Sequence, residues 1–153
     1  MGFKFSQASE LRGGSGRTFF KPADYARAAL IVFEPTGIRR KVKTVYEGEE
    51  RLRDEADATI TVFASRAALK KGEPSEILVD AVVTHARLVW KLERALDDGA
   101  AAVGKVVRDA EYKGKPYDLA DVDEDLLELA VAYFEGVQSA QAEARAAVPS
   151  FDD

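Results

Sequence analysis

Residues 36–46 read TGIRRKVKTVY and set Arg39, Arg40, Lys41 and Lys43 within five positions of a chain whose net charge is −5. Cations at that density on an extended segment suit a row of phosphates, because a positive strand can follow a polyanion's backbone. Strand alternation places Arg39, Lys41 and Lys43 on one side and Val42, Thr44 and Tyr46 on the other. Binding of unpaired bases also needs exposed rings. Phe63 falls on the Thr59 and Thr61 side of DATITVF, opposite Ala58, Ile60 and Val62, and Tyr112 and Tyr117 flank Lys113 and Lys115 in EYKGKPY. Each feature also has a reading without a ligand. The basic run suits a solvated or protected edge strand, Phe63 a site under the C-terminal helix, and the tyrosines a cross-strand pair. The sequence leaves both readings open.

Catalytic chemistry is poorly provided for, and the expectation is a protein that is not an enzyme and uses no metal or cofactor. The single histidine, His85, stands at a strand-to-helix junction, where capping or packing accounts for it. There is no cysteine, hence no thiolate nucleophile or disulfide. No glycine-rich phosphate loop, His-Glu-x-x-His motif or nucleophile elbow occurs. The acids of DVDED lack the spacing and glycine of a calcium loop and suit a helix N-terminus.

Composition, with 46% apolar and 32% charged residues, is that of a water-soluble globular domain. No apolar run approaches the roughly 20 residues that cross a bilayer, and MGFKFSQASE has no apolar core of a signal peptide, so a cytoplasmic location is expected. Charge is unevenly spread. Residues 1–53 hold 11 Lys/Arg against 6 Asp/Glu, a net +5, whereas residues 116–153 hold one Arg against 10 acids, a net −9. A basic front and an acidic end suggest an anionic ligand for the body and a separate task for the tail.

The elements that must position these residues follow from periodicity. Residues 1–18, with Gly13, Gly14, Ser15 and Gly16, read as a flexible arm carrying Arg12 and Arg17. ARAALIVF reads as a strand stopped by Pro35 and Gly37, IRRKVKTVY as a second extended segment, and EGEERLRDEAD as a charged loop. DATITVFAS and EILVDAVVT are strands separated by a loop around Lys70, Lys71, Gly72 and Pro74. Leu88, Leu92, Ala95 and Leu96 recur at helical spacing, with Thr84 or His85 at the start and Gly99 at the end. Trp90 on this helix is expected in or half in the core. AAVGKVVRDAEY and PYDLADV form a hairpin around Lys113-Gly114-Lys115-Pro116, and a helix over 123–148 presents Leu126, Ala130, Phe134 and Val137 on one stripe. Strands with a helix before the last two point to a β-barrel with helices, the five-stranded Greek-key OB-fold, followed by a C-terminal α-helix. The implied organisation is an arm (1–18), an OB-fold domain (19–122), a C-terminal helix (123–148) and an acidic tail (149–153).

FFKPADYARAALIVFEP, the basic strand after it, the turn Tyr46-Glu47-Gly48 and DATITVF together resemble the single-stranded DNA-binding proteins of actinobacterial phages, over about residues 19–120. That resemblance implies an OB-fold that coats single-stranded DNA, without sequence preference, in phage replication or recombination. The DNA-contacting set is then Arg39, Arg40, Lys41, Lys43, Phe63, Tyr112, Lys113, Lys115 and Tyr117. The ending VPSFDD is similar to the acidic, Phe-bearing tails of bacterial single-stranded DNA-binding proteins, although Phe151 precedes Asp152 and Asp153 instead of closing the chain. It implies a tail by which Phe151, Asp152 and Asp153 engage replication or recombination proteins. The rival expectation is a phage structural or assembly protein that uses the barrel for protein contacts. Small residues along the last helix suggest a homo-oligomer.

Overall fold

The computed structural model describes residues 18–147. The chain is built on a long hairpin, β1 (Leu30–Tyr46) and β2 (Glu49–Phe63), paired antiparallel from Leu30 opposite Phe63 to Tyr46 opposite Glu49. Glu47 and Gly48 make the turn at φ 51° and 80°. Two positive φ values are what a two-residue hairpin turn of the favoured hand requires. The stop expected at Pro35 and Gly37 does not occur. Pairing of β1 with its other neighbour ends at Phe33, and the ladder slips by a bulge between Pro35 and Gly37, so the proline lies beyond the doubly paired stretch and the strand carries on. The charged loop expected over 47–57 is instead largely strand, because the acids of β2 lie across from the cations of β1.

After β2 comes a short helix where a loop was expected, α1 (Arg66–Lys71). Ser65 caps it by accepting the Ala68 N–H at 3.1 Å, and Gly72 ends it in the left-handed region at φ 67°. The strand β3 (Glu76–Val83) then pairs with the outer side of β2. Helix α2 (Ala86–Asp97) leads into β4 (Ala102–Arg108) and β5 (Tyr117–Ala120), as the periodicity predicts, although β4 ends before Tyr112. Helix α3 (Glu124–Ala147) is the last described element. The result is a five-stranded antiparallel sheet in the order β3-β2-β1-β4-β5 with a C-terminal helix. Among the described residues β3 and β5 are not paired, so the sheet stays open at that seam. Gly104 lets β5 close on β4, since a Cβ there would stand 2.5 Å from the Leu119 side chain and 2.6 Å from the Ala120 carbonyl.

Both faces of the hairpin base are covered, so β1 and β2 read as near-continuous apolar runs there. On one face α2 inserts Leu88, Val89 and Leu92 against Ile31, Phe33, Ala58, Ile60 and Val62. On the other, α1 and α3 close over Leu30, Val32 and Phe63 with Leu69 and Ala130. Leu126 and Phe134 of the expected stripe pack there, joined by Leu129 and Tyr133. Thr18 and Phe20 bind the end of β3: the Phe20 N–H donates to the Val82 carbonyl and the Val82 N–H to the Thr18 carbonyl, both at 2.8 Å. No helix among the described residues is long and apolar enough to cross a membrane.

Candidate nucleic-acid interface

The basic run of β1 is held by the acids of β2. Arg39 lies 2.9 Å from Glu55 and 3.1 Å from Asp57, and Arg53 reaches the other oxygen of Glu55 at 3.0 Å. Glu55 is buried, at 6% exposure, and the two guanidinium groups are the partners that replace the water its carboxylate loses. The second bulge of β1 sets Arg40 and Lys41 opposite the single residue Asp54. Asp54 accepts the Lys41 backbone N–H at 3.0 Å and pairs with Arg40 at 2.9 Å, and the two contacts, the backbone N–H first, hold its carboxyl below the usual carboxylate value. Arg40 also pairs with Glu93 of α2. Lys41 takes φ 52° in this bulge, and the alternation that would align Arg39, Lys41 and Lys43 is broken. Nearer the tip, Lys43 meets Glu50 at 3.6 Å across water-exposed side chains, a contact of little strength. The Lys41 ammonium makes no ion pair among the described residues.

The β4–β5 hairpin is arranged differently. Its base is tied to α2: Arg87 pairs with Asp109 at 2.9 Å, and Lys91 pairs with Asp118 at 2.8 Å while donating to the Leu119 carbonyl at 2.7 Å. The Arg87 guanidinium holds the Asp109 carboxyl low. Burial alone would raise Asp118, but the hydrogen bonds from Lys91 and from the Leu119 N–H bring it below the usual value. Above this base the loop is closed by the Lys115 N–H donating to the Tyr112 carbonyl at 2.9 Å, with Gly114 and Lys115 at positive φ. Lys113 and Lys115 are exposed and make no ion pair among the described residues. Tyr112 is 61% exposed, with one face on the Arg87 guanidinium 4.8 Å from the ring centre.

Other expected platforms differ. Phe63 is a correction: it is fully buried beneath α3, edge-on to Tyr133 at 5.2 Å, because the face that looked polar in β2 is a second core and its Thr61 is buried as well. Tyr117 is half-buried between His85 at 5.5 Å and the Arg108 guanidinium at 5.0 Å, so Tyr112 is the open ring of the pair. His85 packs without capping α2 by its side chain, and burial lowers its basicity. Trp90, expected in or half in the core, is 55% exposed, with Arg94 stacked 4.9 Å from its ring centre. Its position was readable: Leu88, Val89 and Leu92 define the buried side of α2, and residue 90 falls off it at 100° per residue. Arg87 and Arg108, which carry the two tyrosines, have no signal of that role in the sequence, since it depends on partners that only the fold brings near. Phe151, Asp152, Asp153, Arg12 and Arg17 lie outside the described residues. Among the described residues no three His, Asp or Glu side chains gather as a metal site would need. Compared with known proteins, the chain matches no family model, no curated protein and no solved structure.

Proposed function

We propose that the protein is a non-catalytic single-stranded DNA-binding module of OB-type topology, and that the β4–β5 hairpin is its contact surface. The observation that carries this is the pairing of an exposed, cation-backed ring at Tyr112 with two exposed lysines, Lys113 and Lys115, that make no ion pair among the described residues. A ring of that kind gives a base its π-face, and the lysines give the phosphates their counter-charge. The sheet order β3-β2-β1-β4-β5, with a helix between β3 and β4, supports the topology. It is the order of an OB barrel opened at one seam, and in that partly open architecture the loops after the first and fourth strands contact the ligand. The cations of β1 contribute mainly to the ribbon itself, where Arg39 and Arg40 pair with carboxylates, Lys43 meets Glu50 and Lys41 sits in the bulge opposite Asp54. Anisotropy of a labelled oligo-dT strand tests the reading: titration with the full chain should show binding that weakens steeply with salt. No binding at low salt rejects it.

A protein-contact role is the second reading, and exposed apolar side chains favour it. Ile77 and Val79 stand open on the edge strand β3, and Leu127 and Val131 on α3. Such a surface suits self-association into a homo-oligomer. Light scattering that gives the 16.7 kDa monomer at high concentration removes it.

A further inference from the structure

The exposed side of α2 continues the surface of the β4–β5 hairpin. Arg87, which carries Tyr112, lies three residues before Trp90, about 4.5 Å along the helix axis. At 100° per residue, Arg87, Arg94 and Trp90 fall within about 60° of one another, on the side away from Leu88 and Leu92. The two cation–ring contacts, Arg87 on Tyr112 and Arg94 on Trp90, therefore form one strip. Beside Trp90 a cleft of about 380 Å³ opens between α2 and the β1–β2 ribbon, lined by Arg40, Leu52, Arg53, Asp54, Trp90 and Glu93. Leu52 is 58% exposed, so the cleft has an apolar wall as well as an aromatic one. Arg40 and Arg53 offer donors, Asp54 and Glu93 acceptors, and the Arg40 pairs with Asp54 and Glu93 keep these groups in place. Flat apolar surface edged by fixed donors and acceptors matches the two faces and the polar rim of a nucleobase.

We infer that Trp90 is a second stacking platform for the strand that contacts Tyr112, and that the cleft beside it receives the edge of the stacked base. The inference rests on the single-stranded DNA reading above, and the experiment separates the two. Trp90 is the only tryptophan, so intrinsic tryptophan emission reports on this one position. The full chain is titrated against labelled oligo-dT while anisotropy and tryptophan emission are followed together. Emission should be quenched in step with the rise in anisotropy. Trp90→Ala should weaken binding about 5- to 100-fold and Trp90→Phe should restore most of it, both with the urea midpoint of the parent chain. An anisotropy rise with unchanged emission, and a Trp90→Ala variant that binds like the parent, overturns the inference and leaves the hairpin reading standing. No rise in anisotropy at low salt removes both.

Discussion

The β1–β2 ribbon and the β4–β5 hairpin both gather positive charge beside aromatic residues, and they dispose of it in opposite ways. On the ribbon, Arg39, Arg40, Lys43, Arg51 and Arg53 each stand within ion-pair distance of a carboxylate, so its cations are largely matched by acids of the ribbon itself and by Glu93 of α2. On the hairpin the carboxylates Asp109 and Asp118 are drawn down to Arg87 and Lys91 at the base, and Lys113 and Lys115 at the tip make no ion pair among the described residues. Local charge density therefore does not mark a binding face. What decides whether such charge stays available to a ligand is whether the fold brings counter-charges to the same place.

The largest effect should come from the base of the ribbon. Phe63→Ala removes a fully buried ring from the core beneath α3 and should cost about 3–5 kcal/mol by urea unfolding. A loss below about 1 kcal/mol would mean that Phe63 is not packed as described. Next, Glu55→Gln should destabilise by about 2 kcal/mol, less than a fully buried pair because Arg39 and Arg53 keep some water. DNA affinity should be unchanged or slightly higher. A large loss of affinity at intact stability would transfer the interface to the ribbon.

Tyr112→Ala should do the reverse, costing about 1–3 kcal/mol of binding free energy while stability moves by less than about 0.5 kcal/mol. The smallest expected effect concerns pH. His85 is half-buried behind Tyr117 and its folded-state pKa is lowered by burial, with Arg53 adding to the shift. The folded state thus binds fewer protons than the unfolded one, so this contribution is complete above the ordinary value of 6.5 and is lost as pH falls through the lowered folded value. Urea midpoints should fall modestly between pH 7.5 and 5.5, and His85→Gln should flatten that fall. An unchanged slope in the variant would show that another group titrates.

Sequence periodicity placed α2, α3 and the β4–β5 hairpin, and the apolar run of EILVDAVVT placed β3, although β3 buries only its last three residues, Ala81, Val82 and Val83. Periodicity missed what depends on partners. Pro35 and Gly37 look like a strand end, yet a bulge absorbs them where β1 has lost its second neighbour. The acids of β2 look like a loop until the cations of β1 are set across from them. Of the two readings of Phe63, the one beneath the C-terminal helix holds; the strand alone could not choose it, because the choice depends on α3 folding back over the second face. In the candidate site, Tyr112, Lys113 and Lys115 were legible as an interleaved turn. The paired state of Arg39 and the ring-backing role of Arg87 were not, since the partners lie 16 and 25 positions away.

The most direct measurement is the salt dependence of oligo-dT affinity for the parent chain and for a Lys113→Gln/Lys115→Gln variant. Each phosphate contact contributes about 0.9 to the slope of log affinity against log salt on a duplex and about 0.7 on a single strand. If the hairpin is the interface, the double variant should bind more weakly at low salt, and its slope should be shallower by about 1.4. An unchanged slope, with the loss appearing instead on Lys41→Gln/Lys43→Gln, would contradict the account.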